Sequence, residues 1–346
     1  SNFVRACCED NLGNIWIGTF NGLNRYNKST GLFQNHTAND IQSDGLTHSS
    51  IWCIVKDNQG TLWLGTYFGG VNYFNPEYEI YTRYSYSSNE KQGLSNPVVG
   101  RTIEDKNGNL WIGTEGGGLN YFNRRTREFK WYRPQEGRNS ISHNNVKALY
   151  YDADKEIIWI GTHLGGMNRL DIRSGHFTHY RMEDNNQQTL PSDIVRDIIP
   201  YKDLLIVATQ NGVCLFEPDS GKCRQLFKDS KEGKSIKMVA DILLDSEGTL
   251  WIAATGEGVF SYRFDTRKLT NYRHDSANPN SLSNNNVNNI MQDSQGHLWF
   301  STSGSGLDLY HPANNDFENF DKEKNGLASD CVYETQESAA SGKLLL

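Results

Sequence analysis

The 346 residues fit two ordinary domains or one large all-β domain, and 12% aromatics, 32 glycines and a mean hydropathy of -0.66 describe a folded, turn-rich chain rather than a disordered one. A formal charge of -7 with no run of Lys or Arg excludes a nucleic-acid surface, which needs clustered cations to displace condensed counterions. No apolar stretch reaches the roughly 18 residues that a membrane-spanning helix needs.

The chain opens on "SNFVRACCED", which has neither the basic nor the apolar region of a signal peptide, and both ends read as cut. "VRACCED" is nearly apolar on both faces, as a strand covered on both sides would be. The Asp that closes it begins "DNLGN", with Asp first and Gly fourth, the pattern of a type I turn followed by a left-handed residue. "IWIGT" is a second strand and "GLNRYN" a third. The glycines between such strands allow a tight reversal with positive φ. A polar turn, "NKSTG", leads to a fourth strand, and a Ser/Asn-rich connection crosses the surface to the next unit.

This unit recurs. Aligning on the Trp of "LWIGT" gives Trp16, Trp63, Trp111, Trp159, Ile206, Trp251 and Trp299, spaced 45 to 48 residues apart. The fifth copy departs most, with "IIPYKDLLIVAT" in place of the Trp and the Asp-Gly turn. An eighth, partial copy begins at "GLASDCVYETQESAASGKLLL". One four-stranded sheet cannot bury its apolar faces alone, whereas sheets packed radially bury each face against a neighbour. The spacing therefore predicts a seven-bladed β-propeller of four-stranded antiparallel blades over residues 1–326. Residues 327–346 begin a further propeller; an eight-bladed ring that uses this fragment is the open alternative.

The recurring "D-x-x-G-x-L-W-I-G-T-x-x-G-G-L-x-x-Y/F-N/D", from Asp10 to Tyr310, resembles the two-component regulator propeller repeat. The resemblance implies an extracytoplasmic, periplasmic sensor of a bacterial hybrid two-component system. It further implies a second propeller, a β-sandwich, a membrane helix and kinase modules beyond this piece. It also implies a non-catalytic role, recognition of an oligosaccharide released from a complex glycan, with no cofactor. The partners expected are that oligosaccharide, the following propeller and β-sandwich, and a second copy in a homodimer. A pure docking or dimerisation scaffold is the rival reading.

Where a scaffold is regular, the positions that do not repeat are the candidates for recognition. The residue after "GT" or its equivalent reads Phe20, Tyr67, Glu115, His163, Gln210, Gly256 and Ser303. The second residue of each inner strand reads Arg5, Trp52, Gly100, Lys147, Arg196, Ala240 and Asn288. Both sets are expected around one mouth of the disc. From them, Phe20, Trp52, Tyr67, Glu115, Lys147, His163, Arg196, Gln210 and Ser303 form the candidate ligand-binding set: rings to stack on sugar C–H faces, polar groups to meet hydroxyls and cations to meet an anionic group.

Most acids belong to turns. Asp197, Asp241 and Glu115 break the repeat near the axis and keep a lyase or hydrolase among the alternatives, since glycosidases need two carboxyls about 5 to 10 Å apart. The six cysteines show no zinc-type spacing, so no metal is expected. Cys7, Cys8 and Cys53 read as small core residues. Cys214 and Cys223 lie symmetrically about "FEPDSGK", within reach of a disulfide if the hairpin register brings them together.

Overall fold

A computed structural model describes residues 3–38, 46–58, 60–74, 76, 84–337 and 344–345. Among the described residues, seven antiparallel sheets of three or four strands follow one another in chain order, the blades of a seven-bladed β-propeller, and a two-stranded sheet follows them. The chain divides into two compact units, residues 1–83 and 84–346.

The first unit holds blades 1 and 2. Blade 1 runs Val4–Glu9, Ile15–Thr19, Gly22–Asn27 and Leu32–His36; blade 2 runs Ile51–Lys56, Leu62–Thr66 and Val71–Phe74. The fourth strand expected in blade 2 falls at 77–83, outside the described residues. Trp16, Leu23, Ile51, Leu62 and Leu64 form the core between the two sheets.

The second unit holds five four-stranded blades whose inner strands are Val99–Glu104, Val146–Asp152, Val195–Tyr201, Val239–Leu244 and Val287–Gln292. Successive sheets share cores: Trp111 packs on Ile158 and Phe177, and Trp159 on Val195 and Phe216. Trp251 packs edge-on to Phe300 at 5.5 Å. The second strand closes on the next blade where Gly161 lies, because a Cβ there would come within 2.6 Å of Val195.

Burial of the inner strands follows the number of neighbouring sheets within the unit. Those of blades 4 to 7 are largely buried, whereas those of blades 1, 2 and 3 are half open. Cys7 and Cys53 are therefore exposed and Cys8 intermediate, which corrects the expectation that all three are core residues. Successive strand residues face opposite ways, and a two-blade unit covers one face of each sheet. Trp63 of blade 2 is 41% exposed and stacks on Tyr73 at 5.1 Å.

The turn aspartates do more than shape a turn. Asp10 accepts from the Leu12 and Asn14 N–H groups (3.0 and 2.8 Å) and, with its second oxygen, from the Trp16 indole at 2.7 Å. Asp245 makes the same three bonds, to Glu247, Thr249 and Trp251 at 3.0, 2.8 and 2.8 Å. Asp105 and Asp293 repeat the pattern. Each buckle fastens the turn to the tryptophan six residues on. Burial pushes the Asp10 carboxyl up, but the Trp16, Asn14 and Leu12 donors outweigh it and leave Asp10 below the usual carboxylate range.

Blade 5 has no such buckle. Its hairpin register sets Cys214 opposite Gln225 and Cys223 opposite Phe216, so the two cysteines sit diagonally. They are free thiols, both buried, with Sγ atoms 3.3 Å apart.

The partial eighth copy packs on blade 7. The Gly304 and Gly306 N–H groups donate to the Asp330 carbonyl (3.0 and 2.7 Å), as Gly116 and Gly118 do to Asn144 (3.2 and 2.7 Å). Cys331 bridges to Ser303 as Asn145 does to Glu115, and Gln336–Glu337 pairs with Leu344–Leu345 as an inner strand pairs with a second strand. The eighth copy thus starts a blade.

Candidate ligand-binding face

Every inner strand carries a β-bulge at its second residue. The ladder skips from Val4 to Ala6, Ile51 to Cys53, Val99 to Thr102, Val146 to Ala148, Val195 to Asp197, Val239 to Asp241 and Val287 to Asn289. A bulge takes its residue out of cross-strand pairing and re-aims the side chain. The irregular set Arg5, Trp52, Gly100, Lys147, Arg196, Ala240 and Asn288 therefore occupies the positions freed from the ladder, and blade 3 frees Arg101 as well.

The second set meets the first. Phe20, Tyr67, Glu115, His163, Gln210 and Ser303 each donate a backbone N–H to the residue just before their own inner strand, at 2.9 to 3.2 Å. In blade 6 that bond is made by Thr255, to Met238 at 3.2 Å, so Thr255 and not Gly256 is the equivalent residue. Ala254 replaces the usual Thr there, and the "GT" landmark fails. Each blade thus presents one side chain from its bulge beside one from its second strand.

In the first unit these side chains form one cluster. The Arg5 guanidinium lies over the rings of Phe20 (5.0 Å) and Trp52 (4.6 Å) and donates through Nη1 to Ser50 Oγ at 3.1 Å. Trp52 lies 5.7 Å from Tyr67, and Tyr67 4.4 Å from Phe68. Phe20, Trp52 and Tyr67 are 55, 55 and 54% exposed and Phe68 is 81% exposed. Phe68 escaped the sequence reading because the glycine-rich turn was read as a reversal alone, although only blade 2 sets an aromatic there.

In the second unit, Glu115 and Lys147 form an ion pair across blades 3 and 4. The Nδ1 of His163 and the Oδ1 of Asn144 are buried without a hydrogen-bond partner among the described residues. Arg196 and Gln210 are half-buried on blade 5. Ser303 Oγ donates to Asn288 Oδ1 (2.9 Å), and Asn288 Nδ2 donates to the Val332 carbonyl (2.8 Å), so this pair holds the eighth copy.

The two-component regulator propeller family model matches residues 1–21, 45–68, 93–116, 140–163 and 281–304, which fall on blades 1, 2, 3, 4 and 7. Five stretches of the chain are thus similar to the two-component regulator propeller repeat. The extracellular domain of the B. thetaiotaomicron system BT4673 superposes with a TM-score of 0.60 at 20% identity, over 97% of this chain and 50% of that one. That of the B. thetaiotaomicron hybrid two component system BT3049 gives a TM-score of 0.58 at 23% identity, over 99% of this chain and 55% of that one. The chain spans about half the length of these structures. At such identity the likeness shows the fold. No curated protein matches the sequence.

The irregular polar residues of the inner strands have a structural task. Asp197 accepts from the Ile242 N–H of the next blade (3.4 Å), Asp241 from Ile290 (2.8 Å), and Asn289 from Thr335 of the eighth copy (3.0 Å). This belt fastens the inner strands of blades 5, 6 and 7 and the eighth copy in succession. Arg101 closes it, pairing with Asp241 at 2.6 Å and Glu334 at 3.6 Å. The Asp241 side chain is only 4% exposed. Burial, and after it the adjoining Asp197, push the Asp241 carboxyl well up against the pull of Arg101. Of the three acids that kept a lyase or hydrolase in view, Asp197 and Asp241 hold strands together and Glu115 is paired with Lys147.

A second repeated clasp was legible in "GLN" and overlooked. Asn120 accepts the Ser95 N–H (2.8 Å) and donates to its Oγ (2.8 Å), and Asn168 does the same with Ser142. Blade 7 replaces this Asn with Asp308, fully buried, which accepts from the Ser283 N–H (3.0 Å), its Oγ (2.9 Å) and Asn319. Burial pushes Asp308 up to about 6 although these donors pull it down.

Proposed function

We propose that this chain is the ligand-sensing part of an extracytoplasmic, membrane-anchored hybrid two-component sensor. It binds a glycan-derived oligosaccharide at its mouth face and relays binding to kinase domains beyond this piece. The observation that carries the reading is the cluster of Arg5, Phe20, Trp52, Tyr67 and Phe68. Its four rings gather at positions where the repeat is free to vary, and folding leaves each of them more than half exposed. Rings of this kind suit sugar C–H faces. The regulator repeats, and the extracellular two-component domains that share the fold, support the sensor role. A ligand can drive a conformational change only through differential affinity for two states.

Calorimetric titration of a broad oligosaccharide library tests this. A ligand whose affinity falls at least tenfold in Trp52→Ala is expected. Absence of binding across the library, by this chain and by the full-length protein, overturns it. The exposed ring cluster also suits a protein-docking face. In that case Trp52→Ala and Tyr67→Ala change oligomeric state in sedimentation and leave sugar response intact.

A further inference from the structure

Arg5 has no acidic partner among the described residues, and the acids near it are already engaged. Of the described carboxylates in its unit, Glu9 pairs with Lys28, and Asp10 and Asp57 are bound to the indoles of Trp16 and Trp63. Among the bulge cations of the second unit, Lys147 is neutralised by Glu115 and Arg101 by Asp241 and Glu334. Arg5 is instead held by uncharged groups, with Phe20 and Trp52 against its guanidinium and Ser50 Oγ on one N–H. A guanidinium has five N–H donors in a fixed fork. One is used here, and the stacked rings limit the orientations the fork can take.

Resting on the sensor reading, we infer that the ligand of this face is acidic: a sugar bearing a carboxylate or a sulfate. Its ring stacks against Trp52 and Tyr67 while its anionic group takes paired N–H donors from Arg5. Two features of the site point to charge rather than hydroxyls. A neutral sugar is served by the rings and by hydrogen-bonding groups of either sign, and gains little from an unpaired cation beside them. An anion gains paired, charge-assisted hydrogen bonds, the strongest that arginine makes. The bulge supplies the means, because it takes Arg5 out of the ladder, and the rings then hold its fork with most of its donors unused for a ligand.

The test uses the whole chain and three disaccharides that share a linkage: one with a uronic acid, one with a sulfate ester and one neutral. The expected result is binding of one or both acidic sugars at least tenfold tighter than the neutral one, weakening as salt rises. The first two arms separate carboxylate from sulfate. Arg5→Gln should remove most of that preference, and Arg5→Lys should recover only part of it, since an ammonium is a point charge without the fork. Arg5 is exposed, so both variants should fold, and unchanged thermal melting confirms it. Equal affinity for neutral and acidic sugars, or an acid preference that survives Arg5→Gln, overturns the inference and leaves the sensor reading standing. A neutral library member that binds where neither acidic sugar does has the same consequence. No binding by any sugar overturns both.

Discussion

Replacing Asp308 with the asparagine that other blades carry should stabilise the protein, and by an amount that depends on pH. The Asp308 carboxyl titrates near 6 in the folded chain against an ordinary value of 3.8. A group whose folded pKa is raised binds more protons folded than unfolded, so stability falls as pH rises through the window from about 4 to 6. At 1.36 kcal/mol per pKa unit the full penalty is about 3 kcal/mol, roughly half of it already present at pH 5. Asp308→Asn removes the charge, and its amide can donate to Ser283 Oγ as Asn120 does to Ser95. The advantage of the variant should therefore grow by about 1.4 kcal/mol between pH 5 and pH 8. At roughly 2–4 °C per kcal/mol for a unit of this size, that is about 3–5 °C in melting temperature. Differential scanning fluorimetry of both proteins at pH 5, 6, 7 and 8 reads it directly. A variant less stable than the parent at pH 8, or a difference that does not change with pH, refutes the reasoning.

Asp245→Ala removes three acceptor bonds at once and strands the Trp251 indole N–H, at a cost of about 3–5 kcal/mol; the same change at Asp203, an acid of blade 5 where no buckle forms, should cost under about 1 kcal/mol, as thermal melts will show. Arg101→Met leaves Asp241 and Glu334 without their cation and should destabilise by roughly 3–5 kcal/mol, while the further change Asp241→Asn should restore most of the loss. Additivity of those two changes in a melting cycle would show that the pair is not coupled.

The period of the fold could be read in the sequence because most blades use the same few things: an Asp and a Gly to turn, a Trp to fill the gap to the next sheet, and a glycine where the strands close up. The bond from that Asp to that Trp, as from Asp245 to Trp251, was present as a six-residue offset in five of the seven blades but was read as turn chemistry alone. The half-open inner strands were not legible. Apolar runs such as "VRACCED" announce the capacity for burial, whereas the burial of Cys7 depends on which sheet lies against its face.

The site divides along the same line. Non-repetition picked out Phe20, Trp52 and Tyr67, and these do come together around Arg5. Arg101 stayed hidden because the bulge in blade 3 spans two residues, and counting along the strand stopped at Gly100. A bulge leaves no residue signature of its own; it shows only in the ladder. Yet the bulge separates the two demands on each inner strand. Residues on either side of it keep the ladder and the belt, as Asp241 does by holding Ile290. Except in blades 3 and 7, where Arg101 closes the belt and Asn288 holds the eighth copy, the residue within it bears neither load, so it can change from Arg5 to Trp52 to Lys147 without loosening the scaffold. The eighth copy makes the same point from the other side. "CVYETQE" has no tryptophan and no Asp-Gly turn, yet Thr335 takes the place that Ile290 takes in blade 7, because Asn289 offers an acceptor that asks only for a backbone N–H. A scaffold fastened in this way can diversify its mouth one blade at a time.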